Sequence, residues 1–148
     1  MSPLTHNYLN LFLDAGINSF DQDKYKRCLD AVLSSERVTL DDVIGVGEID
    51  GGLCVVHRQA VTVAHERGLF NRRIEVDRVL PRATVARLRK EIEGFKGRGG
   101  LSIIGYDPDG REVGKVNWGL SGPEWVEPLA QRQSDHVYQL ICTVMDER

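Results

Sequence analysis

Two kinds of hydrophobic patterning divide the chain. Up to Glu36 the apolar positions recur at helical spacing. Leu4, Tyr8, Leu11 and Ala15 are separated by three or four residues, the interval that gathers side chains on one flank of a helix. Pro3 after Ser2 suits a first turn and Gly16 suits a helix end. Asp21 can cap a second helix, in which Tyr25, Cys28, Leu29, Val32 and Leu33 form a stripe, with Lys24, Lys26, Arg27 and Asp30 mostly outside it. The reading is a helical hairpin over residues 1–38 whose stripe needs cover, from the rest of the chain or from a second copy.

Beyond residue 43 the period shortens. Asp50-Gly51-Gly52 is a turn signal ahead of the apolar run Leu53-Cys54-Val55-Val56, and Val61-Thr62-Val63-Ala64 follows. Gly68-Leu69-Phe70-Asn71 marks another turn. Ile74 and Val76 then alternate with Glu75 and Asp77, as in a half-buried antiparallel strand. Residues 82–96 fit both periods: Val85, Leu88, Ile92 and Phe95 are helically spaced, while Ala86, Leu88 and Ile92 partly alternate. Lys96-Gly97-Arg98-Gly99-Gly100 reads as a loop. Leu101–Tyr106 and Arg111–Trp118 read as a hairpin around Asp107-Pro108-Asp109-Gly110. The tail is helical, with Trp125, Leu129, Val137, Leu140, Ile141 and Val144 on its apolar face. Ser121 and Glu124 have capping-box spacing, with Pro123 in the first turn. Pro128 implies either a kink or a start near Glu127. Two helices, six or seven strands and one long helix make an α+β chain, mainly β, with an antiparallel sheet.

Composition narrows the function. The chain has 148 residues, 41% hydrophobic and 28% charged, enough for one core. It contains neither an apolar run of bilayer length nor a secretory leader pattern, so a cytoplasmic location is expected. Cys28, Cys54 and Cys142 are scattered among apolar neighbours and read as small core residues. No paired ligands suggest a metal, and no motif calls for a cofactor. His57 and His65 flank one hairpin close to Cys54, the sole metal-like grouping. Asp41-Asp42 and Asp107/Asp109 belong with turns. The glycines at 97–100 lack the ending of a phosphate loop and precede a strand. No catalytic residue is assigned, and a non-enzymatic role is expected. Trp118 and Trp125 read as packing between the last helix and the sheet.

Net charge is −5 over residues 1–56, +6 over 57–100 and −4 over 101–148. The basic middle third holds the candidate binding residues, foremost Arg67, Arg72, Arg73, Arg87 and Arg89. They would suit an acidic partner, anionic lipid or nucleic acid. The alternative is a solvated strand face balanced by the chain's own acids. Only Phe70 and Phe95 interleave aromatically, which is little for single-stranded nucleic acid.

The runs Asp50–Val56, Ala60–Val63, Gly68–Val79 and Gly99–Ile104, with the Asp-Gly hairpin and closing helix, resemble bacterial PH-like domains across residues 43–145. The resemblance implies a bent antiparallel β-barrel over residues 39–148, plugged at its open end by the C-terminal helix, and favours a strand at 82–92. This chain departs from the family in carrying His57 and Ala60 where many members have Thr and Arg, and in its N-terminal hairpin. The resemblance implies a binding or assembly module for a protein partner, engaged through an open sheet edge or around the last helix, with homo-oligomers through the hairpin as a further expectation. Relatives that bind phosphoinositides use bases in the first strand connection. Here Gly47–Gly52 carries two acids and no base, which argues against that pocket. Two alternatives stand: peripheral binding of anionic membrane or nucleic acid through the Arg-rich 67–98 region, and a small-ligand or enzymatic site at the barrel mouth.

Overall fold

A computed structural model describes residues 3–17, 22–68, 73–95, 98–120 and 126–146. Helix α1 spans Pro3–Asp14 and α2 spans Gln22–Glu36. Helix α1 ends where its sequence says it should. Gly16 sits at φ +69°, its N–H donates to Leu13, and the Ile17 N–H donates back to Phe12, each at 3.0 Å. This double return satisfies carbonyls the helix leaves open. Helix α2 returns similarly through Val38 to Leu33 at 3.1 Å, but Arg37 occupies the left-handed position at φ +56°. Asp21 lies outside the described residues.

Seven strands follow: β1 (Val43–Ile49), β2 (Gly52–His57), β3 (Ala60–Arg67), β4 (Arg73–Pro81), β5 (Arg87–Phe95), β6 (Arg98–Tyr106) and β7 (Glu112–Gly119). They form two antiparallel sheets, β1-β2-β3-β4 and β5-β6-β7. The ladders do not close into the expected barrel. Strands β4 and β7 instead meet by contact, where a Cβ on Gly114 would fall 1.9 Å from the Val79 carbonyl oxygen. The strand that the resemblance places at 82–92 starts only at Arg87 and runs to Phe95, because Arg82–Thr84 form a short 3-10 turn closed by the Val85 N–H on the Arg82 carbonyl. The glycine-rich segment is not all loop: β6 starts at Arg98, and Gly99 and Gly100 pair with Gly94 and Glu93. Paired strands can run through glycine when the ladder supplies the hydrogen bonds that side-chain packing does not.

The first three strands of the four-stranded sheet are buried on both faces for most of their length, which explains why β2 reads as one apolar run. Leu53 and Val55 face the helical hairpin, packing with Tyr8, Phe12, Tyr25, Cys28, Leu29 and Val32. Cys54 and Val56 face inward, joining Val61, Leu80, Leu101, Ile103, Val116 and Trp118 between the sheets. The hairpin therefore covers its stripe on its own chain. Leu29, Leu53 and Val55 are fully buried, each stabilising the fold by roughly 1.5–3 kcal/mol.

Helix α3 (Val126–Asp146) crosses the open end, burying Ala130, Val137, Ile141 and Val144. It starts without a kink, because Pro128 falls in the first turn, where no intrahelical N–H bond is lost. Ser121, Pro123, Glu124 and Trp125 lie outside the described residues. Glycines in β1 let α3 come close: a Cβ on Gly47 would lie 2.6 Å from Val137 Cγ2, and one on Gly45 would lie 2.6 Å from both Leu140 methyls. Beside them the Gln133 amide bridges three elements. Its oxygen accepts the Glu48 N–H of β1 at 2.9 Å, and its nitrogen donates to the Ala15 carbonyl after α1 at 2.8 Å.

Candidate functional site

The structure divides the basic residues between the two sheets. Arg67 and Arg73 are cross-strand partners at the outer end of the β3–β4 hairpin. Both reach the same carboxylate, Glu75, at 3.5 and 3.4 Å. Arg72 lies outside the described residues. Arg87 and Arg89 alternate along β5 on the solvent face of the other sheet. Arg87 lies 5.0 Å above the Tyr106 ring, and Arg89 reaches Glu91 at 2.8 Å. Each of these four arginines thus has an acid or aromatic neighbour, which weakens the field a solvent-facing patch presents.

Sequence reading did not foresee the buried group formed by Glu36, His57 and Arg78. His57 ends β2 with its side chain fully buried, Glu36 ends α2, and Arg78 lies on β4. The Gln59 amide donates to His57 Nδ1 at 3.2 Å. Nδ1 therefore holds no proton, and Nε2 donates to Glu36 Oε1 at 3.0 Å. Arg78 grips the same carboxylate through Nε at 3.0 Å and Nη2 at 3.2 Å. Burial pushes the Glu36 carboxyl up, but the hydrogen bonds from Arg78 and His57 outweigh it and hold it below the ordinary range. The group joins hairpin to sheet, and both imidazole nitrogens are engaged. His65 pairs opposite Gly52, at the far end of the β2–β3 ladder from His57, so the two histidines do not meet. Among the described residues no group of three His, Cys, Asp or Glu side chains is placed to hold a metal ion.

Three of the concavities among the described residues bear on function. A small apolar cavity of about 20 Å³ lies inside the end of the sandwich between His57, Leu80, Val85, Leu88, Ile141 and Met145, far below the size of usual ligand pockets. A cleft of about 360 Å³ lies near the start of α3 against Lys24, Tyr25, Asp50, Trp118 and Gln133. Several of its polar groups already have partners: Asp50 accepts the Gly119 N–H, Trp118 Nε1 donates to the Glu48 carbonyl, and Gln133 is doubly bonded. Trp118 is thus core packing, as expected.

The third, about 210 Å³, runs between the start of β5 and the end of α3, lined by Ala86, Arg87, Leu88, Tyr138, Cys142 and Met145. Strand β5 is the outer strand of its sheet and, among the described residues, pairs only with β6. Its other side offers N–H and C=O groups to an added strand. Sequence reading expected an open sheet edge but not which strand forms it, because an edge is defined by which strands pair. Lys90 turns the other way from Arg87 and Arg89 and pairs with Asp135 of α3. Burial lowers its ammonium from the ordinary lysine range.

No helix among the described residues is long and apolar enough to cross a membrane. The chain matches no protein-family model, no curated protein and no solved structure.

Proposed function

We propose that the protein is a non-enzymatic binding module of PH-like architecture that takes an extended segment of a protein partner along β5. The PH-like reading is supported by element order: four antiparallel strands, three more, then a helix across the open end. The observation that carries the binding reading is the β5 edge, which pairs only with β6 among the described residues, beside a groove of mixed polar and apolar lining. Main-chain hydrogen bonds to such an edge give affinity, and alternate side chains entering the groove give specificity. In this reading the Glu36–His57 pair is structural, with both ring nitrogens engaged inside the fold.

The test is selection from a random-peptide library on the immobilised protein, followed by amide hydrogen exchange and thiol labelling of Cys142. Selected peptides are expected to slow exchange along β5 and shield Cys142. Failure to retain any peptide, or protection mapping away from β5 and α3, refutes the reading. Salt-dependent capture of acidic vesicles or nucleic acid instead would transfer the function to the arginines.

A further inference from the structure

The charges on β5 specify their own complement. From position 87 the strand reads Arg-Leu-Arg-Lys-Glu-Ile-Glu, basic in its first half and acidic in its second. An antiparallel partner reverses direction, so a strand of this kind fits a second copy of itself. With Lys90 on the two-fold axis, Arg89 stands opposite the second copy's Glu91 and Arg87 opposite its Glu93. Both pairs repeat on the other side of the axis. We propose that β5 pairs with β5 of a second copy about a two-fold at Lys90, joining the two three-stranded sheets into one of six strands. This rests on the reading that β5 is an open binding edge, and names its occupant.

Three observations support self-pairing over a merely guarded edge. Charged side chains on an edge strand, lysines and inward-pointing charges above all, usually guard it against association. Here the signs are segregated so that antiparallel pairing cancels them. Arg89 and Glu91 are already in contact on the solvent face at 2.8 Å, so both stand where a cross-strand exchange would occur. The lysine that would face its own copy is bound to Asp135 of α3, and that carboxylate offsets the like-charge repulsion on the axis. The pairing is isologous, which closes at two copies and leaves no edge for a fibre.

Sedimentation velocity across the micromolar range tests this with charge reversals. Wild type is expected to dimerise with increasing concentration. Arg89→Glu sets Glu opposite Glu twice per dimer, and Glu91→Arg sets Arg opposite Arg twice. Each alone is expected to weaken the dimer by roughly tenfold or more. Mixing the two single variants restores both attractive pairs, so a heterodimer forms where neither variant self-associates. The double variant Arg89→Glu/Glu91→Arg dimerises as wild type does. Circular dichroism confirms that each variant is folded. A wild type that stays monomeric, or a dimer indifferent to the reversals, overturns the proposal. Library peptides that still bind β5 in that case would leave the broader edge-binding reading intact.

Discussion

Replacing Gln133 with leucine measures how firmly the first helix is tied to the last. The side chain is 1% exposed and bridges the Glu48 N–H and the Ala15 carbonyl across 2.9 and 2.8 Å. Leucine has nearly the same volume, so the change opens little cavity and isolates the loss of polar partners. Each buried group left without a partner costs about 1–3 kcal/mol, and greater apolar burial offsets about 1 kcal/mol of the total. The net expectation is a loss of about 1–5 kcal/mol, which for a chain of this size lowers Tm by roughly 3–20 °C. Urea unfolding with an unchanged m-value is the primary assay. Gln139→Leu, an exposed position on the same helix, is the control for helix propensity and should change stability by less than about 0.5 kcal/mol. Amide exchange should also accelerate in α1 before it does in the sheets. A loss below about 1 kcal/mol, or uniform acceleration, would refute the reasoning: solvent would then reach both groups, and Gln133 would not hold the hairpin.

Other perturbations follow from the same contacts. Gly47→Ala presses on a β-branched valine and on Gln133, whereas Gly45→Ala meets only the methyls of a half-buried leucine. Denaturation should show the former losing about 1–3 kcal/mol and the latter distinctly less. Arg37→Gly relieves a left-handed backbone at the end of α2 and should raise stability by about 0.5 kcal/mol, the difference between strain relief and the greater freedom of the unfolded chain. The folded-state pKa of Glu36 lies below its ordinary value of 4.5. Its contribution is therefore present above that value and lost as pH falls through the folded pKa. Stability measured across this acid range should fall more steeply for wild type than for Glu36→Gln. Among the cysteines, burial pushes Cys54 up to about 12 and also raises Cys28, while Cys142 is half-buried. A thiol reagent should modify one cysteine in the native protein, and mass mapping should place it at Cys142.

The strands were legible where chemistry is local. Asp50-Gly51 supplies the two positive φ values of a tight hairpin, and Asp107 accepts the Asp109 and Arg111 N–H groups that close the next turn. Ile74 and Val76 alternate with exposed Glu75 and Asp77 as written. The double cover of the first sheet was hidden, because an apolar run such as Leu53–Val56 shows that both faces are buried but not by what. Residues 82–96 were ambiguous because the apolar positions of β5 also fit a helical period. Glu36, His57 and Arg78 lie 21 and 42 positions apart, with no local pattern to join them. That β5 forms the expected open edge was equally invisible, since pairing decides it. The charge order that suits β5 to a second copy was readable all along, but it has meaning only once position 87 is known to start an outer strand.

The bridge between Ala15 and Gln133 also bears on how the chain is made. The two residues are 118 positions apart, so the first helix leaves the ribosome long before its anchor exists. During that interval the stripe of Tyr25, Cys28, Leu29 and Val32 has only the nascent sheet to cover it, and the inner face of that sheet waits for α3. Contacts of such long range slow folding and lengthen the time that apolar surface stays open. Synthesis of α3 is then the event that fastens α1. A chain released just before residue 133 would carry all seven described strands yet lack the clasp that holds α1 in place.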